Sequence, residues 1–399
     1  MRCFVLCAAL WLTVGCAPSA QHVQIIHTTD IHGHFDPGLR HLEGLVTSSR
    51  SKGDVLLLDS GDMWSGTMMS DDTEGALGIQ AFNILNYDAA ALGNHEFDYG
   101  PVGPPRSGGE APFESLQRRL EEATFPVLAA NLEDRLTGQY PAWTNLAPSA
   151  LVKRGGIAFG LIGAITEETP EITFPYVGQR LTFTAAAHAV AQEAAAHRAR
   201  GADVVVLLSH IGGECPASDH LEDLSRCEAG SELVQLVEAL PKGAIDLALG
   251  GHTHRPMARR VKGVFVGHTG AKGTHAFVID VYKQGETSVT KNHRQVTLSD
   301  YPFNQGGPLN RLLDQAAERQ RSRLNEQLGM TLERPLTRDR LASSTLGTFL
   351  CTSLLASHPD REICILNNGG IRRDFPAGPI TYGDLYDTMP FGNVPALSL

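Results

Sequence analysis

Five short apolar runs in this sequence close on side chains able to bind metal, and that repetition limits the fold more than any other feature. Val23 to Thr29 leads to Asp30 and His32, Asp54 to Asp59 to Asp62, and Asp88 to Leu92 to Asn94 and His95. Val204 to Ser209 then leads to His210, and Ile245 to Leu249 to His252 and His254. Each run has the length and apolar continuity of a buried strand. Helical spacing of apolar residues lies between them, at Leu39 to Ser49, Gly75 to Leu85 and the Ala-rich stretch Ala185 to Arg200. Two further strand units fall at Phe125 to Ala130 and Ile157 to Ile162. Strands alternating with helices predict α/β layers, and such sheets build their sites beyond the carboxyl ends of the strands. Past His254 the pattern turns strand-rich (Gly263 to Val266, Ala276 to Tyr282), which predicts antiparallel pieces closing the sheet.

The residues at the strand ends share one chemistry. Carboxylate oxygen with imidazole nitrogen suits Mn, Zn, Fe or Co better than calcium. The strand-end set is Asp30, His32, Asp62, Asn94, His95, His210, His252 and His254, and seven ligands with one carboxylate shared would fill two sites and leave room for water or hydroxide. Asp30-x-His32 and His252-x-His254 have the i, i+2 spacing that turns both side chains the same way from an extended chain. In Gly93-Asn94-His95-Glu96-Phe97-Asp98 the chain turns sharply at Gly93. On a helical turn beyond it, Asp98 can hold and charge-stabilise the His95 imidazole. His34, His268 and His275 are read as structural or supporting residues.

The formal charge of −11 argues against a nucleic-acid surface. Bound cations would nevertheless reverse the local field for a phosphate ester. Arg2 and the apolar run Cys3 to Val14 form an export signal, too short for a lasting membrane span. Thr13-Val14-Gly15-Cys16 resembles a lipoprotein box with Cys16 as acceptor; simple cleavage is the alternative. Either route gives an exported chain, periplasmic or lipid-anchored to the cell envelope, with that lipid as its membrane attachment. Four of the seven cysteines then remain, and in an oxidising compartment an even remainder favours disulfides. Cys215 and Cys227 flank a polar insertion and are expected to be bridged. Cys351 and Cys364 fit equally well as two buried thiols, in a short helix and a strand.

Asp30-x-His32, Gly61-Asp62, Gly93-Asn94-His95, His210 and Gly251-His252-x-His254 resemble, in order, the blocks of the calcineurin-like metallophosphoesterases. The GNHEFD form and the wider layout, over about residues 23 to 393, are similar to the 5'-nucleotidase family in particular. The resemblance implies a four-layer α/β sandwich flanked by helices, with two divalent transition metal ions. By position, Asp30, His32, Asp62 and His254 would hold one metal; Asp62 as bridge, Asn94, His210 and His252 would hold the other. His95 and Asp98 would be the dyad that stabilises the transferring phosphoryl group or protonates the leaving oxygen. Phosphate would leave a nucleoside 5'-monophosphate or related nucleotide through a metal-bridged hydroxide, with no covalent intermediate.

The same resemblance divides the chain into an export signal (1–20), a catalytic domain (21–305), a linker helix (306–330) and a partial α+β substrate-binding domain (331–399). Leu309 to Leu328 is expected to be a helix, with Leu312, Leu313, Ala316 and Leu324 on its apolar side. Asn367-Asn368-Gly369-Gly370-Ile371-Arg372 is similar to the substrate-binding block, which implicates Asn368, Gly370 and Arg372. Arg340 stands where the family places another substrate arginine, with Arg338 a neighbour of less claim. Pro390-Phe391-Gly392-Asn393 is similar to the block whose Phe391 would stack on a base and whose Asn393 would contact it. Family members continue past this block and supply a second aromatic. Because this chain stops at Leu399, the region after Leu328 is expected to be about half a domain, poor in core and with unpaired strand edges.

Within the fold, a 2',3'-cyclic nucleotide or nucleotide-sugar hydrolase, or a sulfate-releasing thiohydrolase, is the alternative. A binding lipoprotein with a decayed C-terminal domain is the alternative outside enzymology.

Overall fold

The computed structural model describes residues 21–103, 111–216, 220–285, 287–303 and 305–390. The export signal, Cys16, Phe391 and Asn393 therefore lie outside the described residues. Two sheets stack face to face with helices on their outer faces, the α/β/β/α arrangement expected. One sheet has seven strands, in the order Thr287–Thr297, His275–Gln284, Gln21–Thr28, Asp54–Asp59, Ala89–Ala91, Val127–Leu128 and Leu146–Ala147. The other has six, in the order Met257–Val261, Val264–His268, Leu247–Gly250, Val204–His210, Ile157–Ile165 and Ser149–Arg154.

The inner strands of each sheet run parallel, as does the edge strand Leu146–Ala147, whereas His275–Gln284, Thr287–Thr297, Met257–Val261 and Ser149–Arg154 pair antiparallel. Parallel strands covered on both faces must be apolar throughout, and every residue of Ile157–Ile165 is buried. Ile25, Leu56, Leu58, Val206 and Leu249 fill the space between the sheets. Outside the first sheet, Gly38–Arg50 buries Leu39, Leu42, Leu45 and Val46, the 3–4 spacing that gives a helix one apolar face. Ala186–Ala199 and Glu232–Ala239 cover the second sheet in the same way.

One expectation is corrected and one open alternative is resolved. The helix beginning near Leu309 runs Pro308–Leu324, and Gln327–Leu332 is instead a strand paired antiparallel with Gly378–Thr381. The partner that draws those residues out of the helix lies about fifty residues on, beyond any local pattern. Cys351 and Cys364 are bridged, as are Cys215 and Cys227, and Cys364 lies in an extended segment outside any strand. The C-terminal region has a small core of its own, Leu346, Leu350, Ile371, Phe375 and Ile380.

Candidate metal centre

The parallel strands of both sheets point their carboxyl ends at one place. Asp30, His32, Asp62 and His254 each offer an atom there, all within 4.8 Å of one another. The route to this convergence is not the extended chain expected from the i, i+2 spacing. Asp30, His32, Asp62, His252 and His254 all have φ between 49° and 77°, the left-handed region that non-glycine residues seldom adopt. Strain of this kind persists only where surrounding structure over-determines it, and it gathers at functional sites. Gly93 allows the closest approach: a Cβ there would lie 2.3 Å from Asp62 Oδ1 and 2.6 Å from Glu96 Oε2.

Hydrogen bonds fix where the protons sit. His32 Nδ1 donates to the Ser65 carbonyl at 3.0 Å, so the Nε2 lone pair faces inward. It meets His254 Nε2 at 2.8 Å and Asp62 Oδ2 at 3.4 Å. Burial lowers His32 to about 3, so its ring stays neutral beside the Asp62 carboxylate. On the other side of Asp62, His210 Nδ1 donates to the Ser60 carbonyl at 2.8 Å. Its Nε2 then faces Asp62 Oδ2 and Asn94 Oδ1, each at 3.1 Å. Burial would lower His210, but the Asp62 charge outweighs it and pushes the imidazole up to about 9. A cation or a proton must stand among those three atoms. His252 is turned by a contact between its Nε2 and Glu168 Oε1 at 3.1 Å, which leaves Nδ1 as its free lone pair, and its ring is 5.2 Å from that of His210.

Burial acts to raise both carboxyls, yet both lie below the carboxylate range. His254 and His210 hold Asp30 down, and His210 and His95 hold Asp62. Asp30, His32, Asp62 and His254 thus form a cluster of carboxylate oxygens and imidazole nitrogens whose chemistry fits a divalent transition metal.

His95 opens a 3₁₀ turn, His95–Phe97, and its Nδ1 lies 2.7 Å from Asp98 Oδ2. Burial would lower its basicity, but Asp98 and Asp62 overcome this and raise it to about 10. In the metal-free protein His95 is thus held as a cation at neutral pH, beside Asp62. Both open on a cleft of about 900 Å³.

The far wall of that cleft belongs to the C-terminal region: Arg340, Asn367, Gly369, Gly370 and Arg372. The Asn368 amide turns away to the Ala342 carbonyl at 3.4 Å, and Asn367 takes the wall position. Asn367 caps the turn Asn368–Gly370, accepting from the Gly369 N–H at 2.9 Å, and that cap decides which asparagine faces the cleft. Arg338 Nη1 is engaged with the Ile371 carbonyl at 3.0 Å. Three groups went unnoticed in the sequence. Ile172, Thr173 and Phe174 form an apolar part of the near wall. Glu96 accepts the N–H groups of Asp62, Met63 and Gly93 at 2.9, 2.8 and 2.6 Å, tying two ligand loops together. Ser65 joins His32 to Asp98. Its left-handed φ of 65° has no local sequence signal.

Residues 23–256 match the calcineurin-like phosphoesterase family, and 324–396 match the 5'-nucleotidase C-terminal domain. The chain belongs to the calcineurin-like phosphoesterase family. Among its relatives, Protein UshA of Yersinia enterocolitica is 26% identical, over 93% of this chain and 72% of that protein. A 5'-nucleotidase of Vibrio cholerae is 27% identical, over 95% of this chain and 73% of the relative. The structure of a 5'-nucleotidase precursor from Thermus thermophilus superposes with a TM-score of 0.71 at 25% identity, covering 93% of this phosphoesterase and 74% of that chain.

Proposed function

We propose that this phosphoesterase is an exported, dimetal-dependent phosphomonoesterase that releases phosphate from nucleoside 5'-monophosphates or related nucleotides. The observation that carries the reading is the pair of inward-facing lone-pair clusters sharing Asp62 Oδ2. Asp30, His32, Asp62 and His254 would hold one metal, and Asp62, Asn94, His210 and His252 the other. Metals of the Mn, Zn, Fe or Co class, when bound, would supply an acidified water and charge neutralisation at the phosphate. Water adds to phosphorus as the P–O bond breaks, giving phosphate and an alcohol. His95, charged and held by Asp98, is placed to give a proton to the leaving oxygen. Arg340 and Arg372 supply fixed cations on the facing wall, suited to a second anionic or polar part of the substrate. By the family resemblance, Phe391 would stack on a base and Asn393 would contact it. Two disulfides support an oxidising compartment, in keeping with the export signal.

The test is to incubate the metal-loaded protein with AMP and with p-nitrophenyl phosphate. Release from both is expected and is abolished by chelation. Turnover of neither leaves the binding-protein alternative. Turnover of p-nitrophenyl phosphate alone rejects the nucleotide assignment.

A further inference from the structure

We propose that Ser65 positions the His95–Asp98 dyad and that Tyr386, from the C-terminal region, completes the hydrogen-bonded chain that holds Ser65 in place. The inference rests on the reading that the dyad serves the leaving group. Ser65 is buried and left-handed, a conformation that a serine keeps only under outside constraint. Its hydroxyl donates to Asp98 Oδ2 at 2.5 Å, the same oxygen that meets His95 Nδ1. Its carbonyl accepts from His32 Nδ1, so one residue fixes a side chain of the metal cluster and the dyad together.

What constrains Ser65 comes from behind. Its N–H donates to the Tyr99 hydroxyl at 3.0 Å, and that hydroxyl donates onward to Asp71 Oδ1 at 2.6 Å. The Gly66 N–H reaches the same carboxyl oxygen at 3.4 Å. The other Asp71 oxygen accepts from the Tyr386 hydroxyl. Tyr386 lies on the helix Tyr382–Thr388, which packs against the helix Pro308–Leu324. The sequence separation is 315 residues, so the link exists only when the C-terminal region is seated on the catalytic one. Arg323 reinforces the seat: its guanidinium lies 4.8 Å from the Tyr382 ring centre and 3.6 Å from Asp72. The two tyrosine hydroxyls occupy both Asp71 oxygens as donors, which leaves the Tyr99 oxygen to accept from the Ser65 N–H while the Ser65 hydroxyl points the other way, to Asp98. Tyr386, Asp71, Tyr99 and Ser65 are accordingly positioning residues that act through Asp98.

The experiment compares the metal-loaded full chain with Tyr386→Phe and Ser65→Ala on two substrates of different leaving group. AMP must lose a ribose oxygen that needs a proton, whereas p-nitrophenolate leaves without one. A general acid typically contributes ~10²–10⁴-fold, and misplacing it forfeits part of that. Tyr386→Phe is expected to lower kcat on AMP by about three- to tenfold, and Ser65→Ala by about ten- to a hundredfold. KM, metal content and the p-nitrophenyl phosphate rate should stay within about twofold, because an interaction made only in the transition state moves kcat alone. Tyr386→Phe keeps the ring and its packing, so it tests the hydroxyl even if Ser65→Ala folds poorly. Equal losses on both substrates, or no loss on either in Tyr386→Phe, would overturn the inference while leaving the proposed function standing. A wild-type protein inert towards AMP overturns both.

Discussion

The catalytic and C-terminal regions are built on unlike terms. In the first, two sheets and their covering helices enclose apolar cores on three levels, and the strand ends hold strained ligand loops rigidly. In the second, among the described residues, five side chains make the buried core, while Leu341, Ile363 and Ile365 stand 95%, 79% and 90% exposed. A core of that size does little beyond offsetting the entropy of ordering its own chain. The C-terminal region therefore depends on its disulfide, on the seat against the helix Pro308–Leu324 and on contacts such as Tyr386 with Asp71. The proposed metal ligands can be placed exactly because they stand on the rigid half, whereas the proposed substrate wall is only as firm as its seating.

The comparison is broken most decisively at Asp62. Replacing it with alanine should remove the group shared by both clusters and lower phosphatase activity by more than about 10³-fold on every substrate, with metal content by elemental analysis falling in parallel. Metal retained at two equivalents would defeat the shared-ligand assignment. His95→Asn comes next: about 10²–10⁴-fold in kcat on AMP and much less on p-nitrophenyl phosphate.

The same residue yields a pH signature in the metal-free protein. Because its folded value, about 10, lies above the ordinary imidazole value of 6.5, its charge stabilises the fold fully below about 6.5 and loses that effect as pH rises to about 10. Denaturant titrations should show wild type losing stability across that window, and His95→Asn losing less of it.

On the weaker side, a Cys351→Ser/Cys364→Ser pair opens a loop of sequence separation 13, worth about 3 kcal/mol of unfolded-chain constraint. Limited proteolysis should then cut between residues 358 and 366 while the catalytic fragment keeps its p-nitrophenyl phosphate activity. Loss of both activities together would mean the halves unfold as one unit. Arg372→Ala should have the smallest effect, raising KM for AMP by about tenfold, roughly 1.4 kcal/mol, with kcat on p-nitrophenyl phosphate unchanged.

Legibility in the sequence follows the same divide. The strand ends bearing Asp30, Asp62, His95, His210 and His252 were readable because a buried parallel strand needs a continuous apolar run, and its end is marked where polarity returns. Asp98 was readable because three residues are one turn. In the C-terminal region the signals failed where a distant partner decided the outcome: Gln327–Leu332 became a strand through Gly378–Thr381, and the cap at Asn367 chose it over Asn368 for the cleft.

By itself the sequence determined the α/β layering and the metal-capable residues, since periodicity and strand-end chemistry are local properties. Only the tertiary structure decided that the ligand loops are left-handed, that Glu96 ties two of them, and that Ser65, Tyr99, Asp71 and Tyr386 form one chain. Those depend on hydrogen bonds between residues tens to hundreds of positions apart, and such pairings carry no period or spacing along the chain.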